Sequence, residues 1–289
     1  MTDDPFVDHR GLLFTVAYGM LGSAADAEDA VQETWLRWAD VDQAEVRDHR
    51  AYLVRIVTRQ ALNRLRSVAR RREDYIGEWL PEPLLTSPDV ATDVELAESL
   101  SIAMLTVLET LGPAERAVFV LREVFDTPYE EIAQAVGKSP AAVRQIAHRA
   151  RDHVAARRPR TSVTATEHQQ VVERFLAAVR LGDLQGLLDV LAPDVVIIAD
   201  GGGLVAAARR PIVGADRVAA FLVGAARAAQ FEAKPVWLNG SPGGLIDIAG
   251  ALNTAVSVSV DDGRITHIYA IRNPHKLVGL DGVAALTRS

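Results

Sequence analysis

The sequence of 289 residues contains no cysteine, which excludes a disulfide framework, a thiolate zinc site and a cysteine nucleophile. It has no apolar run near the roughly 18 residues that a membrane-spanning helix needs. The first ten residues are acidic and lack the apolar centre of a secretory signal. Its seven histidines are scattered without a ligand spacing beside carboxylates, so we expect no metal. We therefore expect a cytoplasmic protein, and the length predicts about two domains.

The net charge of −7 conceals four blocks of alternating sign. Residues 26–45 carry a net charge of −6 and residues 73–98 a net charge of −8. Residues 47–72 carry nine arginines and a net charge of +8, and residues 138–160 carry +6. Salt screens charges over about 8–10 Å, so blocks of this size do not cancel in space. Basic blocks in an acidic chain indicate contacts with phosphate, although any single block also fits a solvated helix face.

Residues 6–160 have the periodicity of helices. One apolar stripe within 26–38 consists of Ala27, Ala30, Val31, Trp35 and Trp38. A second helix covers 50–72, and its arginines are set apart from the apolar stripe on the helical wheel. A basic helix of this kind can grip a phosphate backbone, and it equally fits a membrane surface or an acidic partner.

Composition changes twice along the chain. Gly77, Pro81, Pro83 and Pro88 interrupt the helical pattern, which indicates a linker. After residue 161 the pattern becomes helices at about 167–181, 184–191 and 214–229, and strands at 195–199, 232–239, 244–249, 252–260 and 264–272. Asn239-Gly240 and Asp262-Gly263 predict hairpin turns between these strands. Helices followed by a run of antiparallel strands make an α+β domain. We predict a multidomain protein with all-α domains at 1–75 and 98–160, a linker at 76–97 and an α+β domain at 161–289.

Residues 127–154 have the pattern of a helix-turn-helix. Thr127 is expected to cap the first helix, with Pro128 at its first position. Gly137 occupies the turn that needs a left-handed backbone, and Ser139 caps the second helix. The second helix then presents outward a set suited to the DNA major groove, namely Arg144, Gln145, His148 and Arg149. An ordinary helical hairpin is the alternative.

Three motifs occur in order: DAEDAVQETWLRW (26–38), RAYLVRIVTRQALNRLR (50–66) and AAVRQIAHRAR (141–151). Together they resemble the extracytoplasmic-function (ECF) sigma factors of bacterial RNA polymerase over about residues 10–157. The resemblance implies transcription initiation with core RNA polymerase and promoter DNA as partners. It implies no catalytic residue, no cofactor and no metal.

The resemblance also implies three contact surfaces. The acidic helix would bind the β′ clamp of the polymerase through Asp26, Glu28, Asp29, Gln32, Glu33 and Trp35. The basic helix would read the −10 promoter element through Arg55, Arg59, Asn63, Arg64, Arg66 and Arg70. The helix-turn-helix domain would meet the β flap and read the −35 element through Ser139, Arg144, Gln145, His148 and Arg149.

Residues 167–289 resemble the SnoaL-like branch of the nuclear-transport-factor-2-like (NTF2-like) cone fold, which one subgroup of these sigma factors carries. Three segments look like hallmarks of that subgroup: YIGEWLPEPL (75–84), DGGG (200–203) and NPHKL (273–277). The resemblance suggests regulation in cis, in place of a separate anti-sigma factor. The expected regulatory interface comprises Trp79, Leu80, Pro81, Asp200, Gly201, Gly202, Gly203, Asn273, Pro274, Lys276 and Leu277.

Related folds host polyketide cyclases and ketosteroid isomerases, whose chemistry needs a base and a donor in an apolar cone. The candidate pocket residues here are Trp237, His267 and Tyr269, but no spacing demands a catalytic pair. Because fold does not imply function, we expect a non-catalytic regulator or a sensor of an unknown small-molecule ligand. Two alternatives stay open: a ligand-responsive DNA-binding repressor, and a small-molecule isomerase or cyclase with a DNA-binding appendage.

Overall fold

The structure, a computed structural model, describes residues 4–72, 75–88, 93–159, 163–228 and 230–288, and the side chains of all of these except 68–72. Two compact units interleave along the chain: Met1–Asp74, Met104–Arg157 and Ala285–Ser289 form the first, and Tyr75–Ala103 and Arg158–Ala284 form the second. The predicted linker therefore groups with the C-terminal domain. No helix in the described ranges is long and apolar enough to cross a membrane.

The first unit is helical, as predicted. It contains α1 (Pro5–Leu21), α2 (Ala24–Ala39), α3 (His49–Arg72), most of α5 (Ile102–Leu108), α6 (Pro113–Phe119), α7 (Tyr129–Val136) and α8 (Pro140–Ala155). Side-chain caps fix where the first two helices begin: the Asp4 carboxylate accepts from the Phe6 amide, and the Ser23 hydroxyl from the Asp26 amide. Helix α1 is buried almost continuously from Leu12 to Leu21, and α2 and α3 pack around it.

The helix-turn-helix comprises α7 and α8. Gly137 ends α7 with φ +69°, and Ser139 caps α8 by accepting from the Ala142 amide at 3.2 Å, both as predicted. The predicted cap at Thr127 is wrong, because Pro128 is the N-cap of α7 and provides no side-chain hydrogen bond. Thr127 is buried instead, and its amide donates to the carbonyl of Leu121, which lies in the π-helical turn Val120–Val124 after α6.

The second unit contains α4 (Val94–Ser99), α9 (Ala165–Leu181), α10 (Leu184–Val190), α11 (Ala215–Ala228) and a six-stranded sheet. Its strands are β1 (Leu191–Asp200), β2 (Ile212–Val213), β3 (Phe231–Leu238), β4 (Ser241–Ile248), β5 (Ala251–Asp261) and β6 (Arg264–Ile271), in the order β2-β1-β6-β5-β4-β3. The α+β prediction is confirmed. The sheet is nevertheless mixed, because β1 and β6 pair in parallel.

Three tight turns connect the last four strands. Asn239-Gly240 and Asp262-Gly263 have positive φ at both residues, as the predicted hairpin turns require. A third turn, Ala249-Gly250, has the same backbone although alanine is unfavourable there. The sheet buries both faces. The helices α9, α10 and α11 cover one face, and Leu80 of the predicted linker packs on the other with Tyr269 and Ile271.

His168 of α9 gives this unit a pH dependence. Burial lowers the pKa of His168 to about 4, although a hydrogen bond to the backbone of Val258 opposes the shift. The unfolded chain takes up this proton near pH 6.5, whereas the folded chain resists it until about pH 4. The free energy of unfolding should therefore fall by roughly 3 kcal/mol between these pH values. In urea titrations at several pH values, His168→Leu should lose this slope relative to the wild type. An unchanged slope would contradict the assignment.

Candidate functional site

The acidic face of α2 is open to solvent around one aromatic residue. Trp35 is 46% exposed, and Gln32 and Glu33 beside it are also exposed. The predicted apolar stripe is therefore wrong at Trp35. Thr34 completes the buried face instead, and its hydroxyl donates to the Ala30 carbonyl. Trp35 is left on the surface, where an aromatic side chain is suited to contact a partner.

One predicted DNA-binding residue lies against this acidic face. The Arg64 guanidinium of α3 is 2.6 Å from an Asp29 carboxylate oxygen, 3.7 Å from Glu33 and 3.9 Å from Asp26. Glu28 pairs with Arg10 of α1 at 2.6 Å. The structure thus brings Arg64 to the expected polymerase-binding residues rather than leaving it free for DNA.

The remaining basic residues of α3 are divided between solvent and α7. Arg59 donates to the Gln134 backbone carbonyl at 2.9 Å, and Arg55 approaches the Gln134 side-chain oxygen at 3.5 Å. The Arg55 guanidinium also lies over the Tyr52 ring, 4.9 Å from its centre. Asn63 and Arg66 are exposed, and the Arg70 side chain lies outside the described residues. The first helix of the helix-turn-helix therefore covers part of the basic face.

The outer face of α8 agrees with the sequence prediction. Val143 and Ile146 are buried, whereas the five expected DNA-contacting residues are exposed: Ser139, Arg144, Gln145, His148 and Arg149. Arg144 pairs with Glu130 at 3.1 Å, and His148 pairs with Asp152 at 2.9 Å. Both pairs are exposed, so they are weak and easily exchanged for phosphate.

A buried cluster around Asp200 holds residues 75–88, hereafter the tether segment. The Asp200 carboxylate is fully buried and accepts four hydrogen bonds. One oxygen accepts from the Tyr75 hydroxyl at 2.6 Å and the Gly202 amide at 3.0 Å. The other accepts from the Leu80 amide at 2.9 Å and the Lys276 ammonium at 2.7 Å. Charge-assisted bonds of this kind are the strong ones in proteins.

Lys276 and Asn273 complete this Asp200 cluster. The Lys276 ammonium also donates to the Leu80 carbonyl and lies 3.9 Å from the centre of the Trp79 ring, in a cation–π contact. The Asn273 side chain donates to the Tyr75 hydroxyl at 2.8 Å. Pro274 begins the short 3₁₀ helix that carries Lys276. The NPHKL segment therefore contacts the tether segment directly.

The three glycines after Asp200 are required by close approach. A Cβ atom on Gly202, whose φ is +61°, would lie 2.4 Å from the Asn273 side chain. A Cβ atom on Gly203, at φ +72°, would lie 3.1 Å from Ile76 of the tether segment. A Cβ atom on Gly201 would lie 2.5 Å from the Val205 carbonyl. The DGGG loop therefore fits closely against both the tether segment and Asn273.

A second attachment was missed from the sequence. Asn239 is fully buried; its side-chain oxygen accepts from the Leu84 amide at 3.0 Å and its nitrogen donates to the Leu100 carbonyl at 2.9 Å. Leu85 forms a bridge with Leu238 at the edge of β3. Pro81 and Leu277 are buried as well. Asn239 was predicted only as a turn residue, so the tether segment is held at both ends rather than at Asp200 alone.

The candidate pocket residues do not come together. Two strands separate β3, which carries Trp237, from β6, which carries His267 and Tyr269. Burial lowers the pKa of His267 and raises that of Tyr269 to about 12, and the two rings stack 6.1 Å apart. Tyr269 packs on the face opposite the helices. The apolar cavity of this unit lies under the helices, and none of the three residues lines it.

Comparison with known proteins gives a consistent pattern. Residues 6–72 match the family described as Sigma-70 region 2, and residues 101–154 match Sigma-70, region 4. The chain is 40% identical to the ECF RNA polymerase sigma factor SigJ of Mycobacterium tuberculosis, over 93% of this chain and 91% of that protein. It is 35% identical to the probable ECF RNA polymerase sigma factor SigI of Mycobacterium tuberculosis, over 93% and 92%. The crystal structure of Mycobacterium tuberculosis SigJ superposes with a TM-score of 0.78 at 35% identity, covering 95% of this chain and 98% of that one.

Proposed function

The chain belongs to the ECF sigma factors, alternative sigma factors that direct core RNA polymerase to promoter DNA, and from this we propose that its SnoaL-like domain controls promoter use in cis by holding the tether segment. The observation that carries the proposal is the Asp200 cluster, in which the buried Asp200–Lys276 ion pair and Asn273 form four hydrogen bonds with this segment, two at Tyr75 and two at Leu80. A covalent tie between segment and domain, followed by promoter-specific transcription, tests it.

The tether segment matters because it belongs to the connection between α3 and α5. Released and fully extended, the 29 residues between Arg72 and Ile102 would reach at most ~95–105 Å, enough for two promoter-reading regions to separate widely. Held along the second unit, the same residues cannot extend. The domain thus limits how far the two DNA-reading regions move apart on a promoter.

The contacts between α3 and α7 support a state that must open before promoter binding. Arg55 and Arg59 are two of the residues we assign to the −10 element, and both contact Gln134. These two side-chain contacts are exposed, so each of them contributes little to the closed state. The buried contact of Arg116 with Gly19 also joins the two regions and would have to break on opening. We assign the −10 contacts that follow opening to Arg55, Arg59, Asn63 and Arg66.

We assign the open face of α2 around Trp35 to the β′ clamp, and the domain containing α8 to the β flap and the −35 element. The acidic charge of α2 suits a basic polymerase surface, and an exposed tryptophan is a common energetic centre of an interface. When the polymerase binds this face of α2, Arg64 either releases its three carboxylate neighbours or stays paired with them and holds α2 against α3.

We further propose that the SnoaL-like domain is regulatory and not catalytic. Its apolar cavity is lined, among the described residues, by no histidine, aspartate, glutamate, lysine or tyrosine. General acid–base chemistry requires such a group within hydrogen-bond reach of the substrate. His267 and Tyr269 lie elsewhere, so they do not supply it.

Arg144→Ala or Arg149→Ala should weaken binding of the holoenzyme to its promoter by about 1–3 kcal/mol where the arginine contacts a base. Fluorescence anisotropy with labelled promoter DNA measures the effect. Arg174→Ala, an exposed arginine on α9, is the matched control and should be neutral. If both α8 variants bind as the control does, the assignment of this face to the −35 element fails.

A further inference from the structure

A cavity of about 390 Å³ lies between the sheet and helices α9 and α11 of the second unit. Its wall is almost wholly apolar and includes Phe175, Val179, Phe221, Phe231 and Ile268. Binding sites for small organic molecules occupy about 300–1,000 Å³ and have this kind of lining. The cavity is therefore large enough, and apolar enough, for a small organic ligand.

The polar residues of the cavity wall form one cluster. It consists of Asn253, Thr254 and Arg272, which are linked by hydrogen bonds, and Arg272 is the only charged residue among the described residues of the lining. Its guanidinium donates to the Asn253 side-chain oxygen at 3.0 Å and to the Ala206 carbonyl. The buried Nε finds no acceptor in the described part of the chain. Burial lowers the pKa of Arg272. A cation with a spare donor in the wall of an apolar cavity suits a carboxylate.

The same arginine is joined to the Asp200 cluster. Its backbone amide donates to the Asp200 carbonyl at 2.7 Å, and the next residue is Asn273, which bonds Tyr75. Ala206, whose carbonyl receives the guanidinium, lies in the loop that leaves Asp200 through the three glycines. That loop forms part of the cavity wall at Ala206 and contacts the tether segment at Gly203.

We propose that this cavity binds a small apolar carboxylate through Arg272, and that its binding weakens the hold of the Asp200 cluster on the tether segment. A carboxylate that accepts hydrogen bonds from the Arg272 guanidinium competes with the Ala206 carbonyl. Loss of the bond to Ala206 would loosen the loop that follows Asp200. By linkage, a ligand that prefers the released state must shift the chain toward it. The second half of this inference rests on the cis regulation proposed above.

Calorimetric titration of the full-length protein with decanoate tests the site, with 1-decanol as the uncharged probe. Decanoate should bind, and Arg272→Gln should weaken it about tenfold to a hundredfold. Decanol should bind more weakly and equally to both proteins. The matched control is Arg209→Gln, which removes an exposed arginine in the loop before α11 and should leave decanoate binding unchanged. Should Arg272→Gln fail to fold, Arg272→Lys keeps the charge and should show an intermediate loss. The proposal would be overturned if decanoate did not bind the wild type, or if it bound the Arg272 variants as tightly as the wild type.

Amide hydrogen exchange tests the coupling. The Leu80 amide, which donates to Asp200, should exchange at least severalfold faster in wild-type protein saturated with decanoate, and not in Arg272→Gln. Unchanged exchange with decanoate bound would overturn the coupling. Both measurements use the free protein, so their failure would leave the sigma-factor function and the cis regulation standing. A failure of cis regulation would instead appear only in transcription with polymerase.

Discussion

Asp200→Asn in the full-length chain is expected to lower the stability of the second unit by about 3–5 kcal/mol, because it leaves the Lys276 ammonium buried without its carboxylate. The tether segment should loosen with it, since Asp200 also receives Tyr75 and Leu80. Promoter-specific transcription with core polymerase should then rise. Denaturant unfolding and in vitro transcription measure the two effects.

Two control variants distinguish the effect of breaking the buried Asp200–Lys276 pair from the effect of removing a carboxylate elsewhere. Asp189→Asn removes an exposed carboxylate of α10 and should change neither measurement. The double variant Asp200→Asn with Lys276→Met should recover part of the stability, because the unpaired buried charge is gone. Transcription should stay high in the double variant, since the tether segment remains released. A wild-type transcription level in Asp200→Asn would contradict the role assigned to this cluster.

Arg116→Leu is expected to destabilise the first unit by about 3–5 kcal/mol. The Arg116 side chain is 2% exposed, and its guanidinium pairs with Glu109 and donates to the Gly19 carbonyl of α1. Burial lowers the pKa of Arg116 to about 9. Because α1 lies in the Sigma-70 region 2 match and Arg116 in the region 4 match, the residue holds these two regions together.

A double-mutant cycle isolates that pair. Arg116→Leu with Glu109→Leu replaces both charges by apolar groups and should recover most of the lost stability. Arg157→Leu, an exposed arginine just after α8, is the matched control. Chemical denaturation followed by circular dichroism supplies the free energies. Equal losses in the single and the double variant would mean that packing, not the buried pair, sets the cost.

Local chemistry predicted much of this fold. Helix periodicity, the Ser139 cap and the Gly137 turn were readable because each depends on residues within one or two turns of the chain. The parallel pairing of β1 with β6 was not, since it joins strands more than 60 residues apart and has no local signature. The two-residue strand β2 is too short to show an alternating apolar pattern. The turn at Ala249-Gly250 was not predicted, because alanine is not a turn residue, whereas asparagine at this position would have indicated a hairpin.

The sequence predicted which side chains of the helix-turn-helix are exposed, but it did not predict which side chains from distant segments contact one another. The outward face of α8 follows from periodicity alone. The contact of Arg64 with the α2 carboxylates and that of Arg59 with Gln134 join distant segments and have no local signature, so the family resemblance assigned both arginines to DNA. Asn239 likewise bonds Leu84, 155 positions away, and a turn signal was all that its neighbours showed.

A disulfide between the tether segment and the sheet tests most directly the claim that holding this segment lowers promoter use. Because the chain has no cysteine, the two introduced cysteines have no other partner within the chain. Leu85 and Leu238 are bridge partners at the edge of β3, so Leu85→Cys with Leu238→Cys should form a disulfide between the tether segment and the sheet. We would measure transcription with core polymerase from DNA upstream of the chain's own coding sequence, with Leu85→Cys alone as control. The account predicts that the oxidised double variant is at least about tenfold less active than the reduced one. Equal promoter-specific transcription from the two forms would contradict it.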